Sequence, residues 1–158
     1  MPDSSVERSL LAGVRTMGTS AWLRYLVEHG GFQEHQPLTT EQQHYIAEVR
    51  KLTQPVAGAC WDNARRAVLR HDPADRLQYC DGVAFDAQTT HSLPHGWLLL
   101  DDAIAVDLTL STTVAFFGVV LTRAQVLTAL DGARSCDVFS LLDDWRRGSP
   151  LVTGKKPL

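Results

Sequence analysis

Apolar residues recur at helical spacing through the first third of the chain. Leu10, Leu11, Val14 and Met17 form one such set, and Trp22, Leu23, Leu26 and Val27 a second; spacings of three and four residues bring apolar side chains onto one side of a helix. Gly30-Gly31 ends the second set. Thr39-Thr40-Glu41-Gln42 has the form of a capping box, in which a threonine and a glutamine three residues on satisfy each other's backbone N–H groups. It predicts a helix with Tyr45, Ile46, Val49 and Leu52 on one face, closing before Pro55 because a residue preceding proline is pushed out of helical conformation. A third helix is predicted from Cys60 to Arg70, with Trp61, Ala64, Ala67 and Val68 buried and Asp62, Arg65, Arg66 and Arg70 facing water. After the breaker His71-Asp72-Pro73 the period shortens to two, and strands are predicted over 77–85, 95–100, 103–110 and 115–121. Two helices close the pattern, one capped by Thr122 and ended by Gly132, the other over 138–147. Helices first and an antiparallel sheet next make an α+β fold, with the Cys60 helix packed on a small sheet. The expected organisation is one domain over 1–150 followed by a loose tail over 151–158.

Composition narrows the class without naming a chemistry. A chain of 158 residues can bury one proper core. Its 44% apolar and 21% charged residues are ordinary for a globular protein. A formal net charge of −3 gives no electrostatic reason to expect nucleic acid or an anionic membrane as partner. The longest apolar run, around 114–121, is too short to span a bilayer. The polar start lacks the apolar stretch of a secretory signal. Cys60, Cys80 and Cys136 make an odd number, unlike the even sets of secreted disulfide scaffolds. A reduced, cytoplasmic protein is expected.

Cys60 changes the picture. It stands where the loop 55–59 feeds a helix, and the unpaired N–H groups and dipole of a helix start favour the thiolate, the form in which a thiol attacks. Gly58 lets backbone come close to whatever binds there. Gln54, six residues before the cysteine, can aim an amide at an oxyanion forming on the attacked carbonyl.

A thiol nucleophile needs a base, and the base an orienting partner. The stretch from His95 to Thr109 supplies both once its register is chosen. If the hairpin turns about Asp102, Leu100 faces Ile104 and Trp97 faces Asp107. Gly96, Leu98, Leu100, Ile104, Val106, Leu108 and Leu110 then share a core face, and His95, Trp97, Leu99, Ala105, Asp107 and Thr109 share the opposite one. A slip of one residue mixes the two sets. In this register His95 and Asp107 are diagonal cross-strand neighbours at roughly 7–8 Å between Cα atoms, a span suited to an imidazole–carboxylate hydrogen bond. Cys60, Cys80, His91 and His95 also offer ligand types that suit zinc. The cysteines stand twenty positions apart without a Cys-x2-Cys pair, so no metal is expected. The arginines of the third helix read as its solvated surface; Asn63, one turn along from Cys60, reads as helix surface ahead of a role in holding the cleft loop, and Cys80 and Cys136 read as packed thiols.

Gln54-x3-Gly58-Ala59-Cys60-Trp61 resembles the nucleophile segment of papain-like cysteine peptidases, and the Cys-Trp pair is similar to the transglutaminase core. His95-x-Trp97, a turn, and then Val106-Asp107-x-Thr109 resemble the His and Asp strands of transglutaminase-like proteins, with Leu108 where a proline is typical. Tyr79-Cys80-Asp81-Gly82 and Phe116-Phe117-Gly118-Val119 look like segments of small bacterial and phage proteins of this type. The resemblance covers about residues 54–120. It implies a papain-like or transglutaminase-like core and a Cys60-His95-Asp107 triad, with Gln54 at the oxyanion; Trp61 and Trp97 are assigned to substrate binding. The expected activity is cofactor-free acyl transfer through a thioester on a peptide, protein or small-molecule amide or thioester. Hydrolysis, deamidation and transamidation share these parts. The alternatives are a non-catalytic interaction protein on the same fold and an acyltransferase that takes its acyl group from a carrier thioester.

Overall fold

The computed structural model describes residues 8, 11–15, 20–86, 91–110, 113–130, 140–143 and 152. Residues 11–15 are helical and bury Val14. Helix α1 (Ala21–His29) buries Leu23 and Leu26 and stops at Gly30, whose N–H closes onto the Leu26 carbonyl. The short strand β1 (Gly31–Gln33) follows, an element the glycine stop concealed. Helix α2 (Thr40–Thr53) opens on the expected capping box: the Gln42 N–H donates to the Thr39 hydroxyl (3.2 Å) and the Thr39 N–H to the Gln42 side chain (3.0 Å). It buries Ile46, Val49 and Thr53, whereas Leu52, expected on the same face, is 45% exposed. Helix α3 (Cys60–Arg70) has the predicted bounds.

Four strands then build the sheet: β2 (Leu77–Asp86), β3 (His91–Leu100), β4 (Ile104–Val106) and β5 (Thr113–Leu121), before α4 (Arg123–Leu130). The antiparallel order is β1-β5-β2-β3-β4. The sheet curls until its edges meet: Glu34, just past β1, bridges Ile104 of β4, and the Ala105 N–H donates to the Glu34 carbonyl at 2.9 Å. The β3–β4 hairpin pairs Leu98 with Val106, Leu99 with Ala105 and Leu100 with Ile104, the register that the hydrophobic pattern selected. Asp101 and Asp102 make its turn in the left-handed region, at φ of 53° and 59°. Aspartate tolerates that conformation better than most residues.

Curling gives the sheet two buried faces. Tyr79, Val83, Leu98, Leu100, Phe117 and Val119 pack with the helices in the main core. Cys80, Ala84, Trp97, Leu99, Ala105 and Phe116 form a second, smaller core on the concave side. The face opposite the helices is therefore buried as well, so Trp97-Leu98-Leu99-Leu100 is apolar without alternation.

Gly82 and Gly118 face each other across β2 and β5. A Cβ on Gly82 would lie 2.3 Å from the Phe117 carbonyl oxygen and 2.5 Å from the Gly118 Cα. Backbone cannot yield cheaply there, so Gly82→Ala is expected to cost about 3 kcal/mol. An unchanged urea midpoint for this variant would refute the close approach.

The predicted closing helix over 138–147 lies largely outside the described residues. Its described part, 140–143, is irregular, with Ser140, Leu141 and Leu142 buried. Gly132, the expected stop for α4, lies outside the described residues, as does all of the expected tail except Val152, which packs half-buried on the main core. Among the described residues no helix is long and apolar enough to cross a membrane.

Candidate active site

Cys60 is the first residue of α3. Gly58 precedes it at φ 79°, and a Cβ there would meet nothing within 4 Å, so this glycine serves the left-handed backbone rather than a tight fit. The loop from 54 to 59 is held from the helix it leads into. Asn63 is 1% exposed; its amide donates to the Val56 carbonyl at 2.7 Å, and its carbonyl oxygen accepts from the Val56 N–H at 3.0 Å. Arg66 adds bonds to the Thr53 carbonyl (2.8 Å), the Asn63 carbonyl oxygen (2.8 Å) and Asp62 (2.9 Å). Asn63 thus clamps the loop, and Arg65, at 4% exposure, is buried too. The expected solvated face is corrected at both positions, because the helix meets the sheet on one side and this loop on another.

Gly96 brings the helix down onto β3. A Cβ on Gly96 would lie 2.7 Å from the Trp61 ring and 3.0 Å from its Cα, so only glycine lets the start of α3 rest at this height. The residue before it is His95, which is buried with its ring in interaction range of the Cys60 side chain. Its Nε2 lies 2.5 Å from Asp107 Oδ2, leaving Nδ1 as the ring nitrogen for the thiol. The other oxygen of Asp107 accepts from the Thr109 N–H (2.7 Å), the Thr109 hydroxyl (2.9 Å) and the Leu110 N–H (3.0 Å). Arg50 of α2 ties the Asp107 and Leu108 carbonyls (2.6 and 3.2 Å). One carboxylate oxygen is therefore spent on fixing the turn and the other is aimed at the imidazole.

Burial works against the charged form of His95, but the hydrogen bonds and charges of Asp107 and Cys60 outweigh it and raise its pKa from 6.5 to about 9. Burial likewise pushes Asp107 up, and the hydrogen bond and charge of His95 together with the turn N–H groups bring it below its usual 3.8. Because His95 holds its proton more tightly folded than unfolded, the pair stabilises the fold fully below pH 6.5 and loses that support as pH rises through about 9. Because Asp107 is depressed, its contribution is present above pH 3.8 and fades as pH falls through its lower folded value. Thermal melts should give a plateau between these limits with a decline towards pH 9, and Asp107→Asn should flatten the alkaline decline. A decline of equal size in the variant would assign it to other groups.

The remaining expected residues divide. Trp61 is half-buried beside Cys60 and donates its indole N–H to Asp81 at 3.1 Å. Gln54 ends α2 in the left-handed region (φ 47°) with its side chain exposed at the head of the loop. Trp97 is corrected: at 1% exposure it lies in the concave core, 5.0 Å from the Phe116 ring and against Gly118, so it cannot touch a substrate. Cys80 is buried, which pushes its thiol far above the ordinary range and makes it inert. His91 is exposed at the start of β3.

Asp81 is the residue that sequence reasoning passed over. It is 2% exposed, and its carboxylate accepts from Trp61, from the Tyr79 hydroxyl (3.1 Å), from the Ser140 hydroxyl (3.0 Å to each oxygen) and from the N–H groups of Leu141 (2.6 Å) and Leu142 (3.4 Å). Its signal was available: Leu77, Tyr79, Val83 and Phe85 alternate onto the helix side, and an aspartate at the central position of that series must be buried among partners. No family model matches the chain, and no curated protein or solved structure matches it.

Proposed function

We propose that this chain is a cysteine-dependent acyl-transfer enzyme on a papain-like or transglutaminase-like core, acting on a carboxamide or thioester carbonyl. The observation that carries the reading is His95 held between Cys60 and Asp107 at the start of α3. In this mechanism the thiol proton already resides on His95, and the sulfur attacks the carbonyl carbon as the thiolate of the resulting ion pair. The oxyanion is met by the Cys60 N–H, left without a helical partner in the first turn, and by the Gln54 amide. His95 returns its proton to the departing amine or thiol, leaving a thioester on Cys60. It then deprotonates the water or amine that resolves this thioester. Asp107 keeps the imidazole turned towards the sulfur throughout and balances its positive charge, as the acid of a triad does. No cofactor enters these steps.

Intact mass tests the reading directly. After incubation with cell extract, the protein is expected to carry an acyl adduct that maps to Cys60, is released by hydroxylamine, and is missing from Cys60→Ser. Iodoacetamide should alkylate Cys60 well above the rate of a free thiol near neutral pH. No adduct together with a free-thiol rate would mark Cys60 as an inert residue.

A further inference from the structure

A cavity of about 430 Å³ opens between α2 and the strands that close the sheet. Its size is within the roughly 300–1,000 Å³ of clefts that hold a small organic molecule. Of the candidate triad only Asp107 lines it, and neither Cys60 nor His95 does. Ile46, Ala47 and Arg50 reach it from one stripe of α2, at spacings that share a helix face. The other walls are mainly apolar, and include Leu110 and the concave-core residues Ala105 and Phe116.

The side chains in its lining that can carry charge are His35, Arg50 and Asp107. Asp107 is already balanced: one oxygen faces the protonated His95 at 2.5 Å, and the other accepts from Thr109 and Leu110. Arg50 is not. It donates to the Asp107 and Leu108 carbonyls (2.6 and 3.2 Å), which are neutral, and among the described residues it forms no ion pair. A guanidinium has five N–H groups, so Arg50 keeps donors for an oxyanion. A wholly apolar molecule would leave this cation unanswered, a second cation would be repelled, and a dianion would bring more charge than Arg50 balances. We propose that the cavity binds an organic monocarboxylate, with the carboxylate on Arg50 and an apolar body against Ile46, Leu110 and Phe116. The site is separate from the thiol and stands independently of the acyl-transfer reading.

Titration calorimetry of the whole chain at pH 7 with octanoate, octanol and octylammonium tests the site. Octanoate is expected to saturate a single site about tenfold more tightly than octanol, and octylammonium to bind more weakly than either. Arg50→Gln should bring the octanoate and octanol affinities together. Ala47 is exposed on α2, so Ala47→Trp fills the cavity while both Arg50 hydrogen bonds stay in place, and it should weaken octanoate at least about tenfold. Cys60→Ser should bind octanoate as the wild type does. The site is overturned by an absence of saturable binding, by equal affinity for octanoate and octanol, or by a preference that Arg50→Gln keeps. Undiminished binding in Ala47→Trp overturns it too, and loss of binding in Cys60→Ser would move the carboxylate to the thiol. If either cavity variant fails to fold by far-ultraviolet circular dichroism, the other and the wild-type ratio decide.

Discussion

Replacing His95 with asparagine is expected to slow alkylation of Cys60 at pH 6 by on the order of 100-fold, while leaving the folded state intact by near-ultraviolet circular dichroism. A free thiol with a pKa of about 8.5 is only about 0.3% ionised at pH 6, so a cysteine with no base loses nearly all its nucleophile there. In the wild-type site His95 carries a proton at pH 6, and its positive charge, kept facing the sulfur by the Asp107 hydrogen bond at 2.5 Å, favours the thiolate. The difference should narrow as pH rises towards 8.5, where a free thiol ionises unaided. For acyl transfer itself the loss should be larger, roughly 10²–10⁴-fold, because His95 must also protonate the leaving group. Equal alkylation rates for the two proteins across pH 6–8 would remove His95 from the mechanism.

Asp81→Ala is expected to destabilise the protein by about 3–5 kcal/mol, read as a fall in the urea midpoint at unchanged slope. Burial raises the pKa of this carboxyl, so the charge is costly in isolation. The donors around it decide the sign. Without Asp81, the Trp61 indole, the Tyr79 and Ser140 hydroxyls and the N–H groups of Leu141 and Leu142 lose a buried acceptor together. Each orphaned donor costs about 1–3 kcal/mol, and partial relaxation keeps the sum below simple addition. Asp81→Asn retains one acceptor oxygen but turns an NH2 group towards the same donors, so it should lie between alanine and wild type. A midpoint unchanged in Asp81→Ala would mean that residues 140–142 are held by apolar contact alone.

The β3–β4 hairpin was legible because its two faces carry different chemistry. Leu98, Leu100, Ile104 and Val106 must share a side, and that requirement alone selected the observed pairing and brought Asp107 beside His95. Helix α3 was legible at both ends, from the loop glycine and from the His71-Asp72-Pro73 breaker. Its surface was not. Asn63 and Arg65 are polar, and nothing local distinguishes a polar residue that faces water from one that meets buried carbonyls. Strand β1 is three residues long and carries no alternation that a period could reveal. Trp97 shares the His95 face of the hairpin, and the pattern alone does not say whether that face is open or closed. Only the closure of the sheet at Glu34 and Ile104 shows that this side is interior.

By itself, then, the sequence determined what depends on neighbours along the chain or on one strand pair: the α+β order of elements, the helix starts, the hairpin register and the thiol at a helix N-terminus. Periodicity and capping act over a few residues, so a linear string carries them in full. Tertiary structure decided what depends on distant segments meeting: the burial of both sheet faces, the seating of α3 on Gly96 that brings Cys60 to His95, and the gathering of Trp61, Tyr79 and residues 140–142 on Asp81. Those contacts join residues tens of positions apart. Their strength comes from burial and low dielectric, which exist only once the chain has folded.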